Sequence, residues 1–87
     1  EPVWAIGTGR PSTPEGAAAV IREVIRPALA GMFGADAAQA IRVLYGGSVN
    51  GKNAGEFFTE AEIDGGLVGG ASLKVADFIQ IVQAAVQ

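Results

Sequence analysis

A carboxylate at the first position precedes an apolar run and a glycine-containing loop over residues 1–10. Glu1 offers a group that can accept and return a proton, as a general base does. Gly7 and Gly9 give the following backbone the conformational freedom that a loop closing over a substrate needs. The pattern is typical of a catalytic base followed by a lid, although an ordinary connecting loop can have the same spacing.

Two glycine pairs, Gly46-Gly47 and Gly69-Gly70, each follow a short apolar run and precede a predicted helical segment. Glycine lets the backbone approach a ligand closely, and N–H groups at a helix start bind phosphate without Lys or Arg. One such pair is usually only a tight turn. Two pairs after successive strands indicate a phosphate site, of the kind that the last two strand–helix loops of (β/α)8 barrels form.

Alternating strands and helices must position these groups. The predicted segments are a base and lid loop (1–12), a helical region (13–40), a strand and phosphate loop (41–52), a helix (53–62), a second strand and phosphate loop (63–74) and a C-terminal helix (75–87). Such alternation predicts a parallel sheet in an α/β fold. Two or three strands do not make a stable parallel sheet alone, because both faces need cover. We therefore expect a part of a larger fold.

The helical region begins with a recognisable start signal. Thr13 can cap the helix, and Ser12 with Glu15 has the spacing of a capping box. The apolar positions that recur at helical spacing are Ala17, Ile21, Val24, Ala28 and Met32. Pro27 lacks an N–H and is predicted to kink or end the helix near Arg26.

Composition excludes several classes of function. The chain has 87 residues and no Cys or His, so disulfide, thiol and histidine chemistry are absent from it. A net charge of −3 with only six scattered basic residues argues against a nucleic-acid partner. No apolar run approaches the ~20 residues that span a bilayer. Because 49% of the residues are hydrophobic, we expect surfaces that something else covers.

Residues 46–53 nearly match a nucleotide-binding P-loop, with the pattern G-x-x-x-x-G-K-[ST]. Asn53 stands where the pattern needs a hydroxyl to hold Mg²⁺. The first glycine loop does not fit a dinucleotide fingerprint either, because Ser12 occupies the place of its third glycine. Both nucleotide readings are therefore rejected.

Three segments resemble the triosephosphate isomerase family, in the family's order and at its spacing. Residues 1–9 (EPVWAIGTG) resemble its catalytic glutamate and lid, residues 45–49 with Asn53 its seventh-strand phosphate loop, and residues 64–74 its eighth-strand loop. Together they cover nearly the whole chain. The resemblance implies the C-terminal part of a (β/α)8 TIM barrel, from the end of strand six through helix eight, incomplete on its own.

The resemblance also implies an activity and a site. Glu1 would be the base that moves a proton between two carbons of a triose phosphate, interconverting dihydroxyacetone phosphate and glyceraldehyde 3-phosphate through an enediolate. Residues 3–12 would form the lid. The backbone N–H groups implied to bind the substrate phosphate are those of Gly7, Ser48, Gly69 and Gly70. No metal or organic cofactor is implied.

The family is further expected to act as a cytoplasmic homodimer in glycolysis and gluconeogenesis, with no nucleic-acid or membrane partner. Its electrophilic His and active-site Lys lie in an amino-terminal barrel portion that this chain lacks, and the chain contains no His. The chain also begins at Glu1 rather than Met. We therefore expect it to belong to a longer polypeptide and the isolated 87 residues to be inactive.

Two departures from the family pattern and two alternatives stay open. Arg10-Pro11 replaces the family's usual Lys followed by a small residue, and the pattern does not require Pro27. One alternative is an inactive barrel fragment that associates with copies of itself. The other is a segment of a different phosphate-binding (β/α)8 enzyme, such as a sugar-phosphate isomerase or an aldolase.

Overall fold

A computed structural model describes residues 1–6 and 12–86, and its described part combines helices with a two-stranded parallel sheet. In chain order the elements are a 3-10 turn Val3–Ala5, α1 Pro14–Val20, a π-helical turn Ile21–Ile25, α2 Arg26–Phe33, α3 Ala35–Ala40, β1 Leu44–Gly47, α4 Ala54–Phe58, β2 Gly65–Val68, a 3-10 turn Gly70–Leu73 and α5 Val75–Ala85. The α/β class predicted from the sequence is confirmed. Residues 7–11 of the predicted lid, which spans residues 3–12, and Gln87 lie outside the described residues.

The two strands run parallel and in direct register, with Leu44 opposite Gly65 and Gly47 opposite Val68. α4 lies in the connection between them, as parallel strands require a crossover. The carboxyl ends of both strands therefore meet at one edge of the sheet. The loops that follow them, which carry the predicted phosphate ligands, start side by side.

The first strand lies further along the chain than predicted. It was expected over residues 41–45 with Gly46-Gly47 after it, but both glycines pair within β1. Ile41 is still tied to the preceding helix, because its N–H donates to the Ala37 carbonyl at 3.0 Å. This bond delays the strand until Leu44 and moves the ligand-facing loop to residues beyond Gly47.

The helical region starts as predicted at its cap. Thr13 Oγ1 accepts the Gly16 N–H at 2.9 Å, and Pro14 opens α1. Ser12 does not complete the predicted capping box, because its hydroxyl donates to the neighbouring Thr13 carbonyl at 3.2 Å. The start of α1 therefore depends on Thr13 alone among these side chains.

The helix does not end near Arg26 but changes its winding there, from the π-helical turn to α2. Pro27 lies in the first turn of α2, where its missing N–H is tolerated. A π-helical turn bonds i to i+5 and so rotates later side chains around the axis. Ile21 is buried as predicted, whereas Val24 and Met32 are 61% and 71% exposed, so the predicted apolar stripe is wrong beyond Ile21.

The core is built around an aromatic pair under the sheet. The rings of Tyr45 on β1 and Phe57 on α4 stack with centroids 4.1 Å apart and planes 17° from parallel. The other buried members of this cluster are Ala17, Ile21, Val49, Ala54, Ile63 and Ile81. They bring α1, α4 and α5 against the sheet and so hold both strand ends in place.

A buried arginine ties the helical region to the approach to β2. Arg26 is only 7% exposed, and its guanidinium contacts the carboxylates of Glu62 and Asp64, each at 2.9 Å. It also donates to the carbonyls of Ala38 at 2.7 Å and Ile41 at 3.0 Å. We call this set of five residues the Arg26 clamp. Asp64 in turn accepts a backbone N–H just before β1, so the clamp fixes the entry to both strands.

Much apolar surface of the described chain is exposed. On α5, Phe78, Ile79 and Val82 are 41–50% exposed, and Leu73 before it is 88% exposed. Leu67 on β2 is also 70% exposed. Among the described helices, none is both long enough and apolar enough to cross a membrane.

Candidate active site

The Glu1 carboxylate lies against the carboxyl end of β1. A Cβ atom placed on Gly47 would lie 2.6 Å from Glu1 Oε2 and 2.8 Å from the Tyr45 hydroxyl. The φ angle of Gly47 is +152°, which favours glycine in any case. Glycine at this position therefore leaves the space that the carboxylate occupies.

A cleft of about 100 Å³ lies beside Glu1. Its lining residues are Glu1, Pro2, Ala17, Val20, Ile21, Ile25, Val43, Leu44 and Tyr45. Apart from the carboxylate and the tyrosine hydroxyl, these side chains are apolar. The predicted base, Glu1, thus lies beside apolar side chains, although Glu1 itself is exposed.

A second, larger cleft of about 510 Å³ separates the loops that follow the two strands. It is lined by Gly47, Ser48, Val49, Asn50, Lys52, Gly70, Ala71, Lys74 and Asp77. Gly47 borders this cleft and also contacts the Glu1 carboxylate, so the two clefts adjoin. The structure therefore brings a carboxylate next to a cleft that carries two lysines and two loop backbones.

The predicted phosphate ligands are only partly brought together. Ser48 and Gly70 line the same cleft, from opposite loops. Gly69 is not among its lining residues; its carbonyl accepts the Ser72 N–H at 2.9 Å at the start of the second loop. Gly7 lies outside the described residues.

Side-chain bonds hold both loops in shape. Asn53 Nδ2 donates to the Ser48 carbonyl at 2.5 Å, which orders the loop after β1. In the loop after β2, the Ser72 hydroxyl donates to the Val68 carbonyl at 2.9 Å. Ordered loops fix the backbone groups that face the cleft before any ligand arrives, which reduces the entropy cost of binding.

Tyr45 is the titratable group whose pKa is most clearly shifted by its surroundings. Burial raises the pKa of its hydroxyl, the Glu1 carboxylate raises it further, and the nearby Ser48 backbone amide opposes both effects. Among the described residues, the Tyr45 hydroxyl has no hydrogen-bond partner of standard geometry. The Ser48 backbone amide lies near it but does not meet that geometry. Tyr45 therefore stays neutral beside the carboxylate at physiological pH.

The raised pKa of Tyr45 predicts a loss of stability in alkali. The folded state favours the neutral phenol, so this contribution is complete below the ordinary tyrosine pKa of about 10 and is lost as pH rises through the raised value. We expect the free energy of unfolding of the 87-residue chain to fall over this range, and Tyr45→Phe to reduce that fall. Urea unfolding at a series of pH values measures it.

The chain has a single tyrosine, so tyrosinate absorbance in the folded chain reports Tyr45 alone. Its midpoint should lie above that of the same chain in urea. A midpoint in the folded chain equal to or below the unfolded one would contradict the raised pKa.

Comparison with known proteins decides the family. The family model described as "Triosephosphate isomerase" matches residues 1–85. The chain belongs to the triosephosphate isomerase family. Among curated triosephosphate isomerases, that of Chlorobium phaeovibrioides is 55% identical over 85 residues, which is 98% of this chain and 34% of the relative.

Relatives from distant organisms agree. The triosephosphate isomerase of Debaryomyces hansenii is 57% identical over 84 residues, or 97% of this chain and 33% of that protein. The triosephosphate isomerase of Delftia acidovorans is 56% identical over 85 residues, which is 98% of this chain and 33% of that protein. The resemblance found in the three sequence segments is thus confirmed. The chain spans about one third of the length of the curated triosephosphate isomerases that it matches.

The candidate site of this triosephosphate isomerase family member includes residues that the sequence reasoning missed. Gly47 was treated only as part of a glycine pair, yet it provides the space for Glu1. Asp77 and Lys74 were assigned only to segments, yet both line the cleft between the loops. Their positions after the second glycine pair, just before and within the first turn of a helix, were the available signal. Within residues 1–6 and 12–86, no group of three His, Cys, Asp or Glu side chains is placed to bind a metal ion.

Proposed function

We propose that residues 1–87 form the C-terminal part of a triosephosphate isomerase barrel, from the end of strand six through helix eight. The enzyme interconverts dihydroxyacetone phosphate and glyceraldehyde 3-phosphate. The observation that carries the proposal is the Glu1 carboxylate against Gly47, at the border of a cleft lined by Ser48 and Gly70. A proton-accepting group beside a cleft between two glycine-containing loops is what this reaction needs.

In the proposed reaction Glu1 is the general base. It removes a proton from the carbon next to the carbonyl, which leaves an enediolate, and returns the proton to the neighbouring carbon. The side chains that line the cleft beside Glu1 are mostly apolar, and exclusion of water from the exposed carboxylate is the task of the lid. Residues 3–12 form the lid, whose closure protects the intermediate from losing phosphate.

The substrate phosphate binds to backbone N–H groups rather than to a cationic side chain. We assign this role to Gly7, Ser48, Gly69 and Gly70. The supporting observation is that Ser48 and Gly70 face one cleft from opposite sides. Lys52 and Lys74 line the same cleft and add a favourable field for a dianion. The proposed chemistry needs no metal or organic cofactor.

Residues 1–87 are proposed to act together with an amino-terminal barrel portion. The 87 residues contain no His to polarise the substrate carbonyl as the second proton-transfer partner. The exposed apolar side chains of α5 and β2 form a surface that the remaining strands and helices of a barrel would cover. We further propose that the whole enzyme is a cytoplasmic homodimer that acts in glycolysis and gluconeogenesis.

A chimeric chain tests the proposed function. It joins the amino-terminal two thirds of the Chlorobium phaeovibrioides isomerase to residues 1–87, with the junction immediately before Glu1. We expect the chimera to isomerise dihydroxyacetone phosphate, because it supplies the missing electrophile, and the 87-residue chain alone to show no measurable activity. A coupled assay of glyceraldehyde 3-phosphate formation measures both.

The chimera and the isolated 87-residue chain test two different parts of the proposal. A folded chimera without activity would contradict the proposed role of residues 1–87. Substantial turnover by the purified 87-residue chain would contradict the proposed dependence on the remainder of the barrel. Mixing the amino-terminal two thirds and residues 1–87 as separate chains offers a further control, since complementation should restore part of the activity.

The exposed apolar surface also favours a second candidate, an inactive fragment that binds copies of itself. Val75, Phe78, Ile79 and Val82 of α5 are all at least 41% exposed. Sedimentation of the 87-residue chain over a range of concentrations distinguishes the two. A monomer throughout the range argues against self-association, whereas an oligomer together with an inactive chimera would favour it.

A further inference from the structure

A hydrogen bond joins the two phosphate loops through α5. The Gly51 N–H, in the loop after β1, donates to Asp77 Oδ1 at 2.9 Å. Asp77 is half-buried and lies in the first turn of α5, directly after the loop that follows β2. The two residues are 26 positions apart, so the bond connects loops that are neighbours only in the folded chain.

The backbone at Gly51 lies directly on the side chains of α5. A Cβ atom at this position would lie 2.7 Å from Asp77 Oδ1 and would collide with the Gln80 side chain as well. The Asp77 carboxylate and the Gln80 side chain would both have to shift to admit a Cβ here. The loop backbone and α5 are therefore in close contact at Gly51.

Side-chain hydrogen bonds link the part of the loop that contains Gly51 to Ser48. Asn53 Oδ1 accepts the Asn50 N–H at 2.8 Å, and Asn50 Oδ1 accepts the N–H groups of Lys52 at 2.9 Å and Asn53 at 3.0 Å. Asn53 also bonds the Ser48 carbonyl. These bonds cross-link the loop from Ser48 to Asn53, with Gly51 inside the bonded segment and Ser48 at its cleft end.

We propose that Asp77 is a positioning residue that holds Ser48 at the separation from Gly70 that a phosphate group requires. The proposal rests on the proposed function, since it takes the cleft between the loops as the phosphate site. Asp77 acts by accepting the Gly51 N–H, and it does not touch the substrate. In this way α5 sets the distance between Ser48 and Gly70 across the cleft.

The charge of Asp77 works against this role. Asp77 lines the same cleft as Lys52 and Lys74, so its carboxylate repels a phosphate dianion and offsets part of their attraction. The position therefore needs an acceptor, not a charge. Asparagine keeps an acceptor oxygen at the same place without the charge, and glutamate keeps the charge but moves the acceptor about 1.5 Å further out.

The experiment compares Asp77→Asn and Asp77→Glu in the chimera. Calorimetry measures the Kd for inorganic phosphate, and steady-state kinetics measure KM and kcat. Asp77→Glu should weaken phosphate binding about tenfold, the effect of losing one well-placed hydrogen bond, and raise KM more than it lowers kcat. Asp77→Asn should bind phosphate at least as tightly as the unsubstituted chimera.

A matched control separates positioning from helix stability. Asp36 lies in the first turn of α3 and is exposed, so Asp36→Asn and Asp36→Glu change the same charge at a helix start away from the cleft. They should leave the Kd for phosphate unchanged. Thermal unfolding of all four variants shows the effect of the charge on the helices alone.

Three results would overturn the proposal, and a fourth would contradict only the proposed function. If Asp77→Asn and Asp77→Glu shift the Kd for phosphate equally, the acceptor position does not matter. If both lower Tm while the Kd stays constant, Asp77 only stabilises α5. If the chimera binds phosphate without isomerising the substrate, the proposed function fails while the comparison of Asp77 variants still stands. If it isomerises but neither Asp77 variant changes the Kd, only the inference about Asp77 fails.

Discussion

Replacing Glu1 by Gln in the chimera should lower kcat by about 10²–10⁴-fold, the usual contribution of a general base. Glutamine has nearly the same shape, and the gap at Gly47 accommodates it as it does glutamate. It cannot accept the proton, however, so binding should persist while chemistry is lost. A coupled assay measures kcat, and calorimetry with inorganic phosphate measures binding.

Two further variants complete this test, one that shortens the side chain at position 1 and one that removes a carboxylate elsewhere. Glu1→Asp keeps the charge but withdraws the carboxylate by about one bond length, and a displacement of this size costs about 10²-fold. Glu15→Gln removes an exposed carboxylate in the first turn of α1 and should leave kcat within about twofold. Equal losses in Glu1→Gln and Glu15→Gln would show that Glu1 is not the base.

Replacing Arg26 by Met should lower the free energy of unfolding of the 87-residue chain by about 3–5 kcal/mol. Methionine fills part of the space but leaves the carboxylates of Glu62 and Asp64 without their cation. The carbonyls of Ala38, at a buried position, and of Ile41, at a partly buried one, also lose their donor. Urea unfolding monitored by circular dichroism measures the change.

Arg22→Met is the matched control, since the two arginines lie on one continuous helical segment. Arg22 is more than half exposed and faces Glu23 at 3.7 Å. Such surface ion pairs contribute about 0–1 kcal/mol. If both arginine variants lose similar stability, the Arg26 clamp does not hold the strand entries as described.

Local signals predicted much of the fold. Thr13 caps α1 because a threonine before Pro14 is a strong helix start, and that signal needs nothing beyond neighbouring residues. The second strand likewise ends before Gly69-Gly70 as predicted. The glycine pairs indicated where the two loops begin to within two residues, and Ser48 and Gly70 do face one cleft.

Contacts between distant residues explain what the sequence could not provide. Nothing near Arg26 predicts its burial, because its carboxylate partners lie 36 and 38 positions away. The π-helical turn could not be predicted either, since it changes which of Val24 and Ile25 turns toward the core without changing the local composition. Gly46-Gly47 was predicted to follow the strand, because glycine is depleted in strands, and only pairing with β2 places both glycines within β1.

The candidate site shows the same division. Glu1 was singled out by its place before a glycine loop, whereas its neighbour Gly47 emerged only from the distance between their atoms. Asp77 looked like an ordinary acidic residue in a first helical turn. Its bond to Gly51 depends on how α5 packs on the loop after β1, and no periodicity within either segment encodes that.

The Arg26 clamp also bears on the order in which the chain folds. Its bonds close loops of 12 to 38 residues, so the longest must bring together segments that are far apart in the chain. Closing such loops costs entropy before the contact is gained, so we expect the clamp to form late in folding. Contacts made after the transition state slow unfolding more than they speed folding. We therefore expect the clamp to lower the unfolding rate, and so to prolong the lifetime of the folded state, more than it raises the folding rate.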